Sequence, residues 1–152
     1  MKGNGGMIEM LISTKGRYAL RVLIDMAEHS TSEYIKLKDS AERQEISEKY
    51  LESIVKQLVI NKIVVGLRGK GGGYKLSKAP DEINVGEILR MMEGSLAPVA
   101  CMEETNLPCP RVGECRMREF WRGLNAAIRR YTDSFTIADL TRENSTDYDY
   151  VI

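Results

Sequence analysis

The chain has 152 residues, 43% hydrophobic and 29% charged. That composition supports one soluble domain, or a domain with an arm, whose core needs no disulfide staples. No apolar run reaches the length of a membrane span and no signal-peptide pattern opens the chain, so a cytoplasmic protein without a membrane partner is expected. The 22 basic and 22 acidic residues cancel, yet residues 1–80 hold 14 of the former and 9 of the latter, including all ten lysines. A +5 half thus precedes a −5 half, the pattern of a polyanion-binding end joined to something else.

Residues 1–9, with Gly3, Asn4, Gly5 and Gly6, read as a flexible extension. Ser13 or Thr14 can cap a first helix to about His29, with Leu20, Leu23, Ile24 and Ala27 on one apolar face. A short second helix is expected over Leu37–Arg43, with Leu37 and Ala41 inward, then a turn at Gln44-Glu45-Ile46. Ser47 caps a third helix to about Asn61, with Leu51, Ile54, Val55 and Leu58 as its buried stripe. Ile63–Leu67 is short and β-branched, and Tyr74–Leu76 returns from a glycine-rich turn over Gly69–Gly73. Helix, short helix, helix, hairpin is the order of a winged helix-turn-helix over residues 10–80, although a generic α+β core also satisfies it.

Asn84 opens a linking helix within residues 81–94, with Glu87 three residues on as a reciprocal cap and Gly94 as the stop. Its stripe is Val85, Ile88, Leu89 and Met92. Residues 95–115 carry Pro98, Pro108, Pro110 and Gly113 and no period. A long amphipathic helix is predicted over Arg116–Ser134, with Met117, Phe120, Trp121, Leu124, Ile128 and Tyr131 on one side. Thr136 and Asp139 can open a short last helix, and residues 141–152 read as a flexible acidic tail. The fold class expected is mainly α with a small β-hairpin wing.

The third helix turns Glu48, Lys49, Glu52, Ser53, Lys56 and Gln57 outward. Lysines neutralise phosphates, while Ser, Gln and Glu read base edges; an ordinary solvated face has the same composition. Arg68-Gly69-Lys70 at the hairpin tip suits a narrow minor groove. No Gly-Lys-Ser/Thr and no helix follow the glycines, which sets aside a nucleotide-binding loop.

Three stretches together resemble the Rrf-type family of bacterial winged-helix regulators, which includes the iron–sulfur cluster regulator IscR and the nitric-oxide sensor NsrR. They are Ser13–Arg21, Ile46-Ser47 with Tyr50-Leu51-Glu52, and Arg68-Gly69-Lys70-Gly71-Gly72-Gly73-Tyr74. The likeness continues through Val85-Gly86-Glu87-Ile88 and Glu93-Gly94 to Leu140. It implies a homodimer with the third helix in the major groove and the wing in the minor groove of double-stranded, pseudo-palindromic operator DNA. Glu52 then matches a selectivity glutamate of the recognition helix and Arg68 the wing arginine. The DNA-contacting set expected is Lys15, Arg17, Tyr18, Ser47, Lys49, Tyr50, Glu52, Ser53, Lys56, Arg68 and Lys70.

Cys101, Cys109 and Cys115 all fall in the irregular segment, with gaps of seven and five residues. An odd count without a secretion signal argues against a disulfide framework. From the residues alone, three unconnected thiols and a ligand set are equally good readings, and the spacing matches no common zinc pattern. The resemblance implies that the triad ligates an iron–sulfur cluster, 2Fe–2S or 4Fe–4S. The chain departs from the family in its first gap, in Arg118 where IscR has a histidine ligand, and in Lys15-Gly16-Arg17 where NsrR has an acid. The fourth ligand is therefore open, with Glu103, Glu104, Glu114, Glu119 and a partner chain's Glu9 near in sequence, and the single histidine, His29, reads as a cap or surface residue.

Two copies pairing through residues 116–134 would match a two-fold operator. The function expected is transcription regulation by a repressor sensing redox state, nitric oxide or iron–sulfur status through a metal-binding loop. The alternative is a regulator of the same type without a cluster, controlled by docking a metabolic enzyme or by thiol oxidation. No catalytic constellation appears.

Overall fold

The apolar stripes of the first four helices collapse into one core. The computed structural model describes residues 12–30, 32–104 and 108–142. The N-terminal extension with Glu9, and the acidic tail beyond Arg142, lie outside the described residues. The helices are α1 (Thr14–His29), α2 (Leu37–Gln44), α3 (Glu48–Ile60), α4 (Val85–Glu93) and α5 (Arg118–Asp133), with strands β1 (Val64–Leu67) and β2 (Gly73–Leu76) between α3 and α4. The fold is mainly α-helical with a small antiparallel hairpin, as expected.

Leu51, Ile54, Val55 and Leu58 of α3 are fully buried against α1. The buried face of α1 is wider than its periodicity indicated. Ala19, Val22, Leu23 and Met26 are sealed, while Leu20, Ile24 and Ala27 are only partly covered. The reason is tertiary: α1 is central, touching α2, α3, α4 and β2. Between α2 and α3, Glu45 adopts a left-handed conformation (φ 54°) that ends α2. Ser47 Oγ then accepts from the Tyr50 amide at 3.1 Å, capping α3 as its sequence predicts.

The hairpin pairs Val64 with Leu76 through Leu67 with Gly73. It is also tied to the α1–α2 connection, because Ile35 and Tyr74 exchange two backbone hydrogen bonds of 2.8 Å. Glycine is required at position 73: φ is +152° and a Cβ would stand 2.3 Å from the Ile35 carbonyl oxygen.

Asn84 Oδ1 caps α4 at the Glu87 amide (3.1 Å) without a return bond from the Glu87 side chain, and Asn84 Nδ2 separately donates to the Asp133 carbonyl at 2.7 Å. Arg90 pairs with the Asp133 carboxylate at 2.8 Å. The chain leaving α5 doubles back, with Ile137 N donating to Ile83 O at 2.9 Å and the Ile137 side chain fully buried. The short last helix is a 3₁₀ turn over Ala138–Leu140, preceded by Thr136 N donating to Asp139 Oδ2 at 2.8 Å.

α5 begins two residues later than predicted and buries none of its side chains. Phe120 is 64% exposed and Tyr131 68%, while Trp121, Leu124 and Ile128 are half-buried. An apolar stripe of that size is otherwise unusual on a soluble surface.

Candidate nucleic-acid interface and cysteine loop

Lys49, Tyr50, Glu52, Ser53 and Lys56 lie on the exposed face of α3, with Ser47 exposed at its start. Ser53 Oγ donates to the Tyr50 carbonyl at 2.6 Å, which draws that hydroxyl toward its own backbone. Arg68 and Lys70 are exposed at the wing tip, where Gly69 (φ +94°) and Gly71 (φ +76°) make the turn. Arg17 is exposed and Lys15 half-buried on the first turns of α1.

Tyr18 and Tyr50 also hold α1 against α3. Their rings meet edge-on at 5.7 Å, and Tyr50 Oη lies 3.2 Å from Thr14 Oγ1. Arg21, outside the expected contact set, stacks over Tyr18 at 5.3 Å. Its Nε donates to Gln44 Oε1 at 3.2 Å and its Nη2 to the Gln44 carbonyl. The first turns of α1 and α3 and the end of α2 are therefore one braced surface.

Beneath it lies Asp25, which sequence reasoning passed over. Its side chain is fully buried. It accepts from Ser40 Oγ (2.6 Å), Arg43 Nε and Nη2 (2.9 Å each) and Gln44 Nε2 (3.2 Å). Burial pushes its pKa up, but the bonds from Arg43, Ser40 and Gln44 and the Arg43 charge outweigh that, holding the carboxyl below the ordinary aspartate value. The same pairing raises the pKa of Arg43. His29 Nδ1 sits 2.9 Å from the Asp25 carbonyl oxygen, consistent with a local cap. The apolar positions Leu20, Leu23, Ile24 and Ala27 put Asp25 on the opposite side of the helix, so its burial follows only from the rotated face that α1 turns to the core.

Cys101 lies in a 3₁₀ turn over Ala100–Met102, Cys109 opens a turn closed by Val112 N to Cys109 O (2.9 Å), and Cys115 precedes α5. The thiols are free, Cys101 and Cys115 exposed and Cys109 half-buried. All three line one cavity of about 350 Å³ with Met102, Pro108, Val112, Arg118, Trp121 and Arg122. Among the described residues, however, no three His, Cys, Asp or Glu side chains gather closely enough to hold a metal ion. The expected ligand set is not assembled, because each cysteine is carried on a separate turn. Two suggested fourth ligands are engaged elsewhere: Glu104 with Arg129 and Glu119 with Arg122, each at 3.0 Å.

A helix-turn-helix with a wing, followed by a long amphipathic helix whose apolar stripe stays largely exposed, is the architecture of a dimeric DNA-binding transcription regulator. The chain belongs to the Rrf2 family, described as iron-dependent transcriptional regulator, whose profile matches residues 12–143. It is 38% identical over 136 residues to protein rrf2 of Nitratidesulfovibrio vulgaris, covering 90% of each chain. It is 36% identical to the regulator IscR of Erwinia tasmaniensis, over 86% of this chain and 78% of that one. The structure of CymR, the global cysteine regulator of B. subtilis, superposes with a TM-score of 0.71 at 36% identity, over 88% of this chain and 97% of that one. Regulators of this family are non-catalytic DNA-binding proteins. No described helix is long and apolar enough to cross a membrane.

Proposed function

We propose that the protein is a homodimeric repressor of a pseudo-palindromic operator, controlled through the thiols of its 95–115 loop without a resident cluster. In this reading α3 enters the major groove and Arg68 and Lys70 the adjacent minor groove. Two copies pair through the exposed stripe of α5. The observation that carries the control mechanism is the cavity at the root of α5, lined by three free thiols that do not form a metal-binding set.

Oxidation of two of these thiols forms one S–S bond. The two protons and two electrons released reduce one hydrogen peroxide to two waters. Trp121 and Arg122 of α5 line the same cavity, so tightening the loop bears directly on the helix that sets half-site spacing. Docking of a metabolic enzyme on the acidic half is the other cluster-free route. The test is operator binding by fluorescence anisotropy before and after peroxide. Wild-type affinity should change and that of the Cys101→Ser/Cys109→Ser/Cys115→Ser protein should not. An unresponsive wild type refutes thiol sensing.

A cysteine-held iron–sulfur cluster is the second reading, favoured by the presence of all three cysteines around one cavity and by kinship with IscR. As arranged, the residues do not fit a cluster: the loop would have to close and a fourth donor be supplied. Anaerobic purification with visible and Mössbauer spectra decides between the two.

A further inference from the structure

We propose that Glu93 is a positioning residue for operator binding, holding the first turn of α1 in place from the root of the cysteine loop. The second half of this proposal rests on the loop being the sensor.

The first turn of a helix leaves backbone N–H groups without partners, and a serine before it ordinarily supplies the acceptor. Here Ser13 occupies that position but makes no such cap. Its hydroxyl and its own amide both donate to Glu93 Oε1, at 2.8 and 2.9 Å. A carboxylate from 80 residues away therefore sits at the positive end of α1, where the helix dipole favours an anion. Gly16 makes room for it, since a Cβ there would stand 2.4 Å from Glu93 Oε1.

Chain order gives the clamp its meaning. Glu93 is the last residue of α4, Gly94 (φ +82°) breaks the helix, and the cysteine loop begins with Ser95. On the other side of the clamp, Thr14 meets Tyr50 of α3 at 3.2 Å, and Lys15 and Arg17 follow within the same turn. A shift at the origin of the loop moves Glu93, and Glu93 carries the first turn of α1 with its basic residues and its contact to the recognition helix.

The experiment compares full-length wild type, Glu93→Ala and Glu93→Gln, each before and after alkylation of the loop thiols with iodoacetamide. Operator affinity, melting temperature and amide exchange of residues 13–18 are read for each. The loss of two charge-assisted bonds at an exposed site should weaken operator binding roughly tenfold in Glu93→Ala, with faster exchange in the first turn of α1. Glu93→Gln, which keeps the acceptor oxygen, should recover most of the affinity. Where alkylation changes wild-type affinity, the Glu93→Ala protein should respond by less than about twofold.

A Glu93→Ala protein with wild-type operator affinity, whatever its melting temperature, overturns the proposal. So does one that binds weakly yet answers alkylation in full. If alkylation leaves wild type unchanged while Glu93→Ala still binds weakly, the sensor reading of the loop fails and the positioning role of Glu93 stands.

Discussion

Replacing Asp25 by alanine should cost far more than a typical single substitution. The carboxylate has no exposed surface and receives four hydrogen bonds from three α2 side chains. Hydrogen bonds to charged groups contribute about 1.5–3 kcal/mol each but are not additive. Ser40, itself fully buried, would keep an unpaired hydroxyl, at about 1–3 kcal/mol. Arg43 is 34% exposed, so water screens its charge and takes up much of its lost bonding. The net expectation is roughly 2–4 kcal/mol, below the ~3–5 kcal/mol of a fully sealed ion pair. With a urea slope of about 2 kcal/mol/M, the midpoint should fall by ~1–2 M. Circular dichroism during urea unfolding reads this, at one fixed protein concentration because unfolding of a dimer depends on it. The pH dependence supplies a second check. The folded pKa lies below the ordinary 3.8, so the unfolded chain takes up the proton first and acid favours unfolding. The advantage of wild type over Asp25→Ala should be complete above the ordinary aspartate value and shrink as pH falls through it toward the folded value. A loss under about 1 kcal/mol, or a difference between the two proteins that does not narrow in acid, would refute the claim that this carboxylate joins α1 to α2.

Three further outcomes are expected. Arg68→Ala should weaken operator binding roughly tenfold and lower the salt slope by about 1, as for one lost groove contact; anisotropy titrations across a salt series measure both. Gly73→Ala drives a Cβ against the Ile35 carbonyl and should cost about 1–3 kcal/mol, with faster amide exchange at Ile35 and Tyr74 and α5 unaffected. Phe120→Asp places a charge on the exposed stripe of α5 and should convert dimer to monomer in sedimentation, leaving helix content intact.

The elements of the DNA-binding half were legible because each follows from a local rule. Leu51, Ile54, Val55 and Leu58 recur at helical spacing, Ser47 supplies its own cap, and the glycines at 69, 71 and 73 mark backbone conformations that few other residues adopt. The outward residues of α3 follow once its inward stripe is assigned. The same periodicity marked the stripe of α5, and its high exposure in the folded chain is what leaves it available to a second copy.

Other features depended on residues distant in sequence. Ser13 looked like a cap and is instead a donor to Glu93; Asn84 caps α4 as expected but also reaches Asp133. Asp25 lay on a helix face with nothing nearby in sequence to mark its partners on α2. The three cysteines were visible as a set, but whether they converge as ligands depends on the path of a loop without periodicity. Local rules act through backbone geometry within one or two turns, so the sequence by itself determined the helices, the hairpin and the exposed face of α3. Glu93 at α1, Asp25 beneath α2 and the thiols around one cavity needed the tertiary structure, because a charge or thiol acquires its role from what packing brings within bonding distance.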